Sequence, residues 1–168
     1  ARDPHTREHS DRVVQLCIEL GQHIELSDDE LEMLALGAQF HDLGKIGIPD
    51  RILLKPGPLD ADEWAVMRQH AQMGADIIGQ HDNELLATAR TIALTHHERW
   101  DGTGYPLGIK GEQIPLVGRI VALADVFDAL MSQRPYKPAF SAARSLEIMM
   151  SERGKHFDPH LLDCFLDR

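Results

Sequence analysis

The chain has little that would serve as covalent or membrane scaffolding. Two cysteines, Cys17 and Cys164, are too few for a disulfide framework. Both fall in helix-like apolar patterns, where buried, reduced thiols and a cytoplasmic setting are expected. No apolar run approaches the roughly 18 residues of a membrane span, because charges such as Asp125 and Asp128 interrupt the longest ones. Membrane insertion is therefore not expected, and no charged-apolar-small leader is read at the start. Basic residues are scarce: 17 Lys and Arg stand against 27 Asp and Glu, a formal charge of −10. That balance argues against a nucleic-acid duplex or an anionic bilayer as main partner, since both reward a basic surface. It leaves room for a small anionic ligand, because bound cations can invert the field inside a site. Strand-like alternation of useful length, internal repeats and low-complexity segments are also missing.

What remains is a chain of 168 residues, 43% hydrophobic, long enough for one domain with its own core. It opens at Ala1 rather than at a methionine, so residues 1–168 are expected to be a single domain excised from a longer chain. The periodicity is helical nearly throughout. His9, Val13, Leu16, Cys17 and Leu20 mark the inward face of a first helix, and Ser27 with Glu30 forms a capping-box pattern ahead of Leu31, Leu34, Ala35 and Ala38. Residues 44–59 read as a loop, punctuated by Gly44, Gly47, Pro49, Pro56, Gly57 and Pro58. Asp60 caps a helix carrying Trp64, Met67 and His70; another helix is expected to begin near Gly74, and one more to span 83–97. A second Gly/Pro-rich loop covers 99–115, followed by a strongly apolar helix over 116–131. Pro135 and Pro138 break the chain, Ser141 caps the next helix, and Pro159 suits the first turn of a last one. The expected fold class is all-α: a compact bundle of seven to nine helices with a metal site in its core.

That site follows from the histidines, ten against five Phe, two Trp and two Tyr. Histidine is the commonest metal ligand and the usual acid–base group near pH 7. His41-Asp42 ends a helix directly before a glycine-rich loop, and a buried carboxylate there requires a partner or a cation. His96-His97-Glu98 closes another helix, where two neighbouring imidazoles can reach one ion although residues inside a helix point about 100° apart. Glu98 itself reads as a surface charge before a loop anchor or a partner to a ligand. Asp125 and Asp128 share one face of the most apolar helix; ligation by Asp125 competes with a salt bridge to a residue such as Arg119. His9 and His70 sit at core-facing steps, where a lone histidine is ordinarily a satisfied core residue. Five histidines and two aspartates from five segments suit two first-row transition ions, Fe or Mn before Zn or Ni, with a carboxylate between them.

The run His41-Asp42-Leu43-Gly44-Lys45-Ile46-Gly47-Ile48-Pro49, with His96-His97-Glu98 and Asp101-Gly102-Thr103-Gly104-Tyr105-Pro106, resembles the HD-GYP domain, a branch of the HD metallohydrolases. The resemblance runs from His9 to about Pro159. It implies metal-dependent hydrolysis of cyclic di-GMP to linear pGpG, GMP or both by a metal-bridging hydroxide. The implied metal ligands are His9, His41, Asp42, His70, His96, His97 and Asp125, with Asp42 as bridge and catalytic carboxylate. Lys45 matches the catalytic lysine that faces the scissile phosphate. Tyr105, Asp128, Arg134 and Lys137 match substrate-contacting or signature-loop positions. Members with a third metal carry a glutamate where this chain has His5, so a dinuclear site is expected in preference to a trinuclear one. The resemblance also implies contacts of the loop with diguanylate-cyclase (GGDEF) domains, an N-terminal sensory or receiver domain, and room for a homodimer in the longer protein. Competing readings are an HD hydrolase of another cyclic dinucleotide or nucleotide, a catalytically weak binding or interaction module, and a dioxygen-binding di-iron bundle. The complete ligand set counts against the module, and Lys45 with the phosphate-suited basic residues counts against dioxygen.

Overall fold

The computed structural model describes residues 7–134 and 137–167. Among them are nine α-helices and no strand, within the expected all-α class. The first two helices, α1 (Arg7–His23) and α2 (Asp28–Gln39), form an antiparallel pair. The Ser27 hydroxyl accepts from the Glu30 N–H while the Glu30 carboxylate accepts from the Ser27 N–H, so the expected capping box is formed in full. Then come α3 (Asp50–Leu53), α4 (Ala61–Met67), α5 (Gln69–Ile78) and α6 (Glu84–Thr95). The chain ends with α7 (Leu116–Met131), α8 (Ala142–Ser151) and α9 (Pro159–Leu166). No helix among the described residues is long and apolar enough to cross a membrane.

α7 runs through the middle. Ile120, Val121, Leu123 and Ala124 pack with Val13, Cys17 and Leu20 of α1, Leu34 and Ala38 of α2, and Ile92 of α6. Met149, Phe157, Leu161, Leu162 and Phe165 close the core from the C-terminal side. An all-round apolar helix of this kind is stable only when covered on every side, and Asp125 is carried inward with it.

Three expectations change. The 44–59 stretch is not simply loop: Leu43–Gly47 forms a 3-10 turn and α3 follows Pro49. Ile48, Ile52 and Leu53 bury there in a small separate core with Leu59, Val66, Met67 and Met73, so tertiary burial overrides the Gly/Pro punctuation. The helix expected near Gly74 begins five residues earlier, at Gln69, and Gly74 lies inside it. The glycine serves an approach of chains: a Cβ on Gly44 would lie 1.8 Å from the His70 carbonyl oxygen and 2.5 Å from the Gly74 nitrogen. Gly44 thus lets the turn after His41-Asp42 press directly on α5. Finally, Cys17 is fully buried but Cys164 is only half-buried, because it lies beside the exposed edge of α9 near His160.

Candidate metal centre

The bundle brings five buried or half-buried segments to one point. His9 comes from α1, His41 and Asp42 from the end of α2, His70 from α5, His96 and His97 from the end of α6, and Asp125 from α7. Three of the imidazoles are oriented by the backbone of their own helices. The Nδ1–H of His41 donates to the Ala38 carbonyl and that of His70 to the Met67 carbonyl, each at 2.6 Å; that of His96 donates to the Ile92 carbonyl at 3.0 Å. With Nδ1 engaged as a donor, each Nε2 is the nitrogen turned toward the centre. These three Nε2 atoms are buried and lack a hydrogen-bond partner. Buried polar atoms left so are rare in folded proteins, and convergent ones suit a cation.

Asp42 stands between two sets of donors. Its Oδ1 is 3.4 Å from His96 Nε2 and 3.8 Å from His70 Nε2. Its Oδ2 is 3.2 Å from His41 Nε2 and 3.3 Å from Lys45 Nζ. The ligand atoms of Asp42, His70, His96 and His97 lie within 4.8 Å of one another, as do those of His9, His41, Asp42 and Asp125. Each set offers nitrogen and carboxylate donors of the kind that first-row divalent ions take, and Asp42 belongs to both. The residues fit divalent metal.

Charge divides across the centre. Burial opposes protonation of His9, but its hydrogen bonds to Asp125 and Asp128 outweigh it and raise the pKa. Burial likewise opposes a charge on His41, yet Asp42 and Asp125 hold it well above the usual value. Asp42 and Asp125 are pushed up by burial but held well below the carboxylate range, chiefly by His41. On the other side, burial and the neighbouring His96 bring His70 down to about 4 and also lower His97. His70 and His97 are thus neutral and ready to ligate, whereas His9 and His41 must release protons on binding a cation.

The remaining candidates separate. Lys45, Tyr105 and Arg134 line the same cavity as Asp42, His70, His97 and Asp125. Tyr105 stacks on His97 with ring centroids 4.9 Å apart and planes at 14°, and burial raises its phenol pKa. Asp128 faces inward, accepting from His9 Nδ1–H and from Arg12 Nε–H, the latter at 2.7 Å. It orients the outer nitrogen of a ligand candidate, and the anticipated alternative, Arg119, pairs instead with Asp158 at 2.7 Å. Lys137 does not line the cavity: its ammonium donates to the carbonyls of Leu130, Ser132 and Pro138, which closes the C-terminal end of α7. His5, and the Pro135-Tyr136 part of the Arg134–Lys137 motif, lie outside the described residues.

Glu98 is the clearest revision. It is 2% exposed, not a surface charge, and its carboxylate accepts from the backbone N–H groups of Leu107 and Gly108 at 2.7 and 2.8 Å. The partners are backbone, so side-chain identities at 107 and 108 carried no signal. A Cβ on Gly104 would come within 2.4–2.6 Å of the Arg99 nitrogen, the His97 oxygen and the Glu98 Cα, so the loop lies flat against the histidine pair only because residue 104 is glycine. Arg12 was also missed; its pairing with Asp128 spans 116 residues.

A helical bundle that gathers five histidines and two aspartates around a shared carboxylate defines a metal-binding domain of nitrogen–carboxylate type. The chain belongs to the HD-domain family, whose model matches residues 1–161, and it carries the HD-GYP form of the signature. It is 43% identical over 167 residues to 3'3'-cGAMP-specific phosphodiesterase 2 of Vibrio cholerae, covering 99% of this chain and 32% of that protein. It is 51% identical over 141 residues to a cyclic di-GMP phosphodiesterase of the same organism, covering 81% of this chain and 29% of that one. Among solved structures, an HDG"Y"P protein from Bdellovibrio bacteriovorus matches with a TM-score of 0.73 at 23% identity, over 95% of this chain and 50% of that chain, a likeness of fold. The chain spans about a third of the length of the two curated relatives.

Proposed function

We propose that this domain is a metal-dependent cyclic dinucleotide phosphodiesterase acting on cyclic di-GMP. The observation that carries the reading is Asp42, whose two oxygens face two separate donor sets while Lys45 stands 3.3 Å from one of them. His9, His41, Asp42 and Asp125 would hold one divalent ion and Asp42, His70, His96 and His97 the other, Fe or Mn before Zn or Ni. When bound, such a pair supplies Lewis acidity toward a phosphate oxygen and lowers the pKa of water toward neutrality. The chain's own part is orientation and charge. Helix carbonyls fix the tautomers of His41, His70 and His96. Lys45 would face the scissile phosphate and neutralise its non-bridging oxygens as charge develops. Arg134, on the same cavity, offers a bidentate fork to the second phosphate. Cleavage at one phosphodiester yields pGpG, and at both yields GMP.

A second reading has a specific basis: 3'3'-cGAMP in place of cyclic di-GMP, after the 43% identical relative. The Gly104-Tyr105-Pro106 loop, whose far side is held by Glu98, is the segment we assign to contact with a GGDEF domain. The test is turnover of cyclic di-GMP and 3'3'-cGAMP by protein loaded with Fe(II) or Mn(II), beside Asp42→Ala. Hydrolysis of cyclic di-GMP abolished in the variant is expected. Preference for 3'3'-cGAMP selects the second reading, and no turnover of either despite confirmed metal occupancy overturns both.

A further inference from the structure

The phosphate chemistry accounts for Lys45, Arg134 and the histidines but not for one wall of the cavity, which is built from Leu53, Trp64 and Met67. The cavity holds about 260 Å³, below the ~300–1,000 Å³ of pockets that enclose a drug-sized ligand. A cyclic dinucleotide is larger than such a ligand. With one phosphate at the Asp42 centre, at least one base must therefore lie at the mouth. Trp64 stands there, 44% exposed, although a tryptophan gains most by burial. One helical turn on, Arg68 sets its guanidinium 6.0 Å from the Trp64 ring centroid and 5.6 Å from that of Tyr105. The guanidinium lies over the indole ring, and proteins use an aromatic ring for the face of a nucleobase and an arginine for its edge.

We propose that Trp64 and Arg68 form a purine subsite at the mouth of the cavity, the indole stacking on the base and the guanidinium donating to the O6/N7 edge of guanine. Adenine presents an amino group where guanine presents O6, so Arg68 selects guanine while Trp64 accepts either purine. The subsite rests on the cyclic dinucleotide reading, extending it from the phosphate to the base.

The chain has two tryptophans, so a Trp100→Phe background leaves Trp64 as the sole tryptophan, excited at wavelengths where the two tyrosines do not absorb. Stopped-flow mixing of metal-loaded protein with cyclic di-GMP should quench Trp64 ahead of turnover, and cyclic di-AMP should do so with a weaker Kd. Trp64→Ala should raise the KM for cyclic di-GMP about tenfold, as expected for one lost base stack, with kcat changed by less than about threefold. Trp64→Phe should recover most of that loss. Arg68→Ala should narrow the preference for cyclic di-GMP over cyclic di-AMP by about tenfold. Absence of quenching, an unchanged KM in Trp64→Ala, or equal damage to KM and kcat without rescue by Phe would each overturn the stacking role. An unchanged preference in Arg68→Ala overturns the edge contact. Quenching without hydrolysis would leave the subsite standing and remove the phosphodiesterase reading; hydrolysis without quenching would do the reverse.

Discussion

Removing the Glu98 carboxylate should release the loop that follows it while leaving the bundle folded. Glu98 is buried and accepts two backbone hydrogen bonds, from Leu107 at 2.7 Å and Gly108 at 2.8 Å. Hydrogen bonds to a charged acceptor contribute about 1.5–3 kcal/mol each. The two donors belong to exposed residues and regain water when released, so the net loss for Glu98→Ala is about 2–4 kcal/mol of loop stability. Glu98→Gln retains one acceptor and sets an amide N–H against the second donor, which should cost roughly half as much. The assay is native-state hydrogen exchange at the Leu107 and Gly108 amides. Their protection should fall by about 30- to 700-fold in Glu98→Ala, at tenfold per 1.4 kcal/mol, with little change at core amides such as Ile92. Unchanged protection at both amides would refute the anchoring role. Uniform loss across the core would refute the claim that the carboxylate serves the loop rather than the fold.

Three further outcomes are expected. Titration with Mn(II) should reach two ions per chain in the wild type and fewer in Asp42→Ala, with affinity rising with pH because His9 and His41 must shed protons; calorimetry in buffers of different ionisation enthalpy counts the protons, and zero release would contradict the charge division. His156 is lowered to about 4, by burial first and then by Arg99, so the unfolded chain takes up its proton first on acidification. Its contribution is complete above pH 6.5 and lost as pH falls toward 4, about 3 kcal/mol in all; His156→Gln should flatten that part of the stability–pH curve, and denaturant melts from pH 7 to 4 check it. Gly44→Ala must displace α5 or the Leu43–Gly47 turn, since its Cβ would meet the His70 carbonyl at 1.8 Å. Weakened metal binding and a Tm lower by several degrees are expected, and wild-type values for both would disprove the contact.

Local chemistry was the legible part of this chain. The caps at Ser27, Asp60 and Ser141 and the proline at the start of α9 are satisfied within a few residues of themselves, and all stand where the sequence puts them. The metal-ligating candidates were legible for a different reason, since a carboxylate or imidazole on an apolar helix face requires a partner wherever the chain goes. What stayed hidden depends on partners distant in sequence. Nothing near Asp128 announces Arg12, and nothing near Gly44 announces the α5 backbone. Lys137 adds a local case: its motif suggests a ligand contact, and in the structure three carbonyls within a few residues hold its ammonium.

The order in which the donors occur along the chain has a consequence for biosynthesis. The set of Asp42, His70, His96 and His97 is complete once residue 97 has been made, whereas the set of His9, His41, Asp42 and Asp125 waits for the middle of α7. A nascent chain emerging from the ribosome therefore presents one full set of ligands before the other exists. The same α7 that completes the second set also forms the middle of the core, which Met149, Phe157, Leu161, Leu162 and Phe165 close only afterwards, so both donor sets exist in the chain before the bundle is finished.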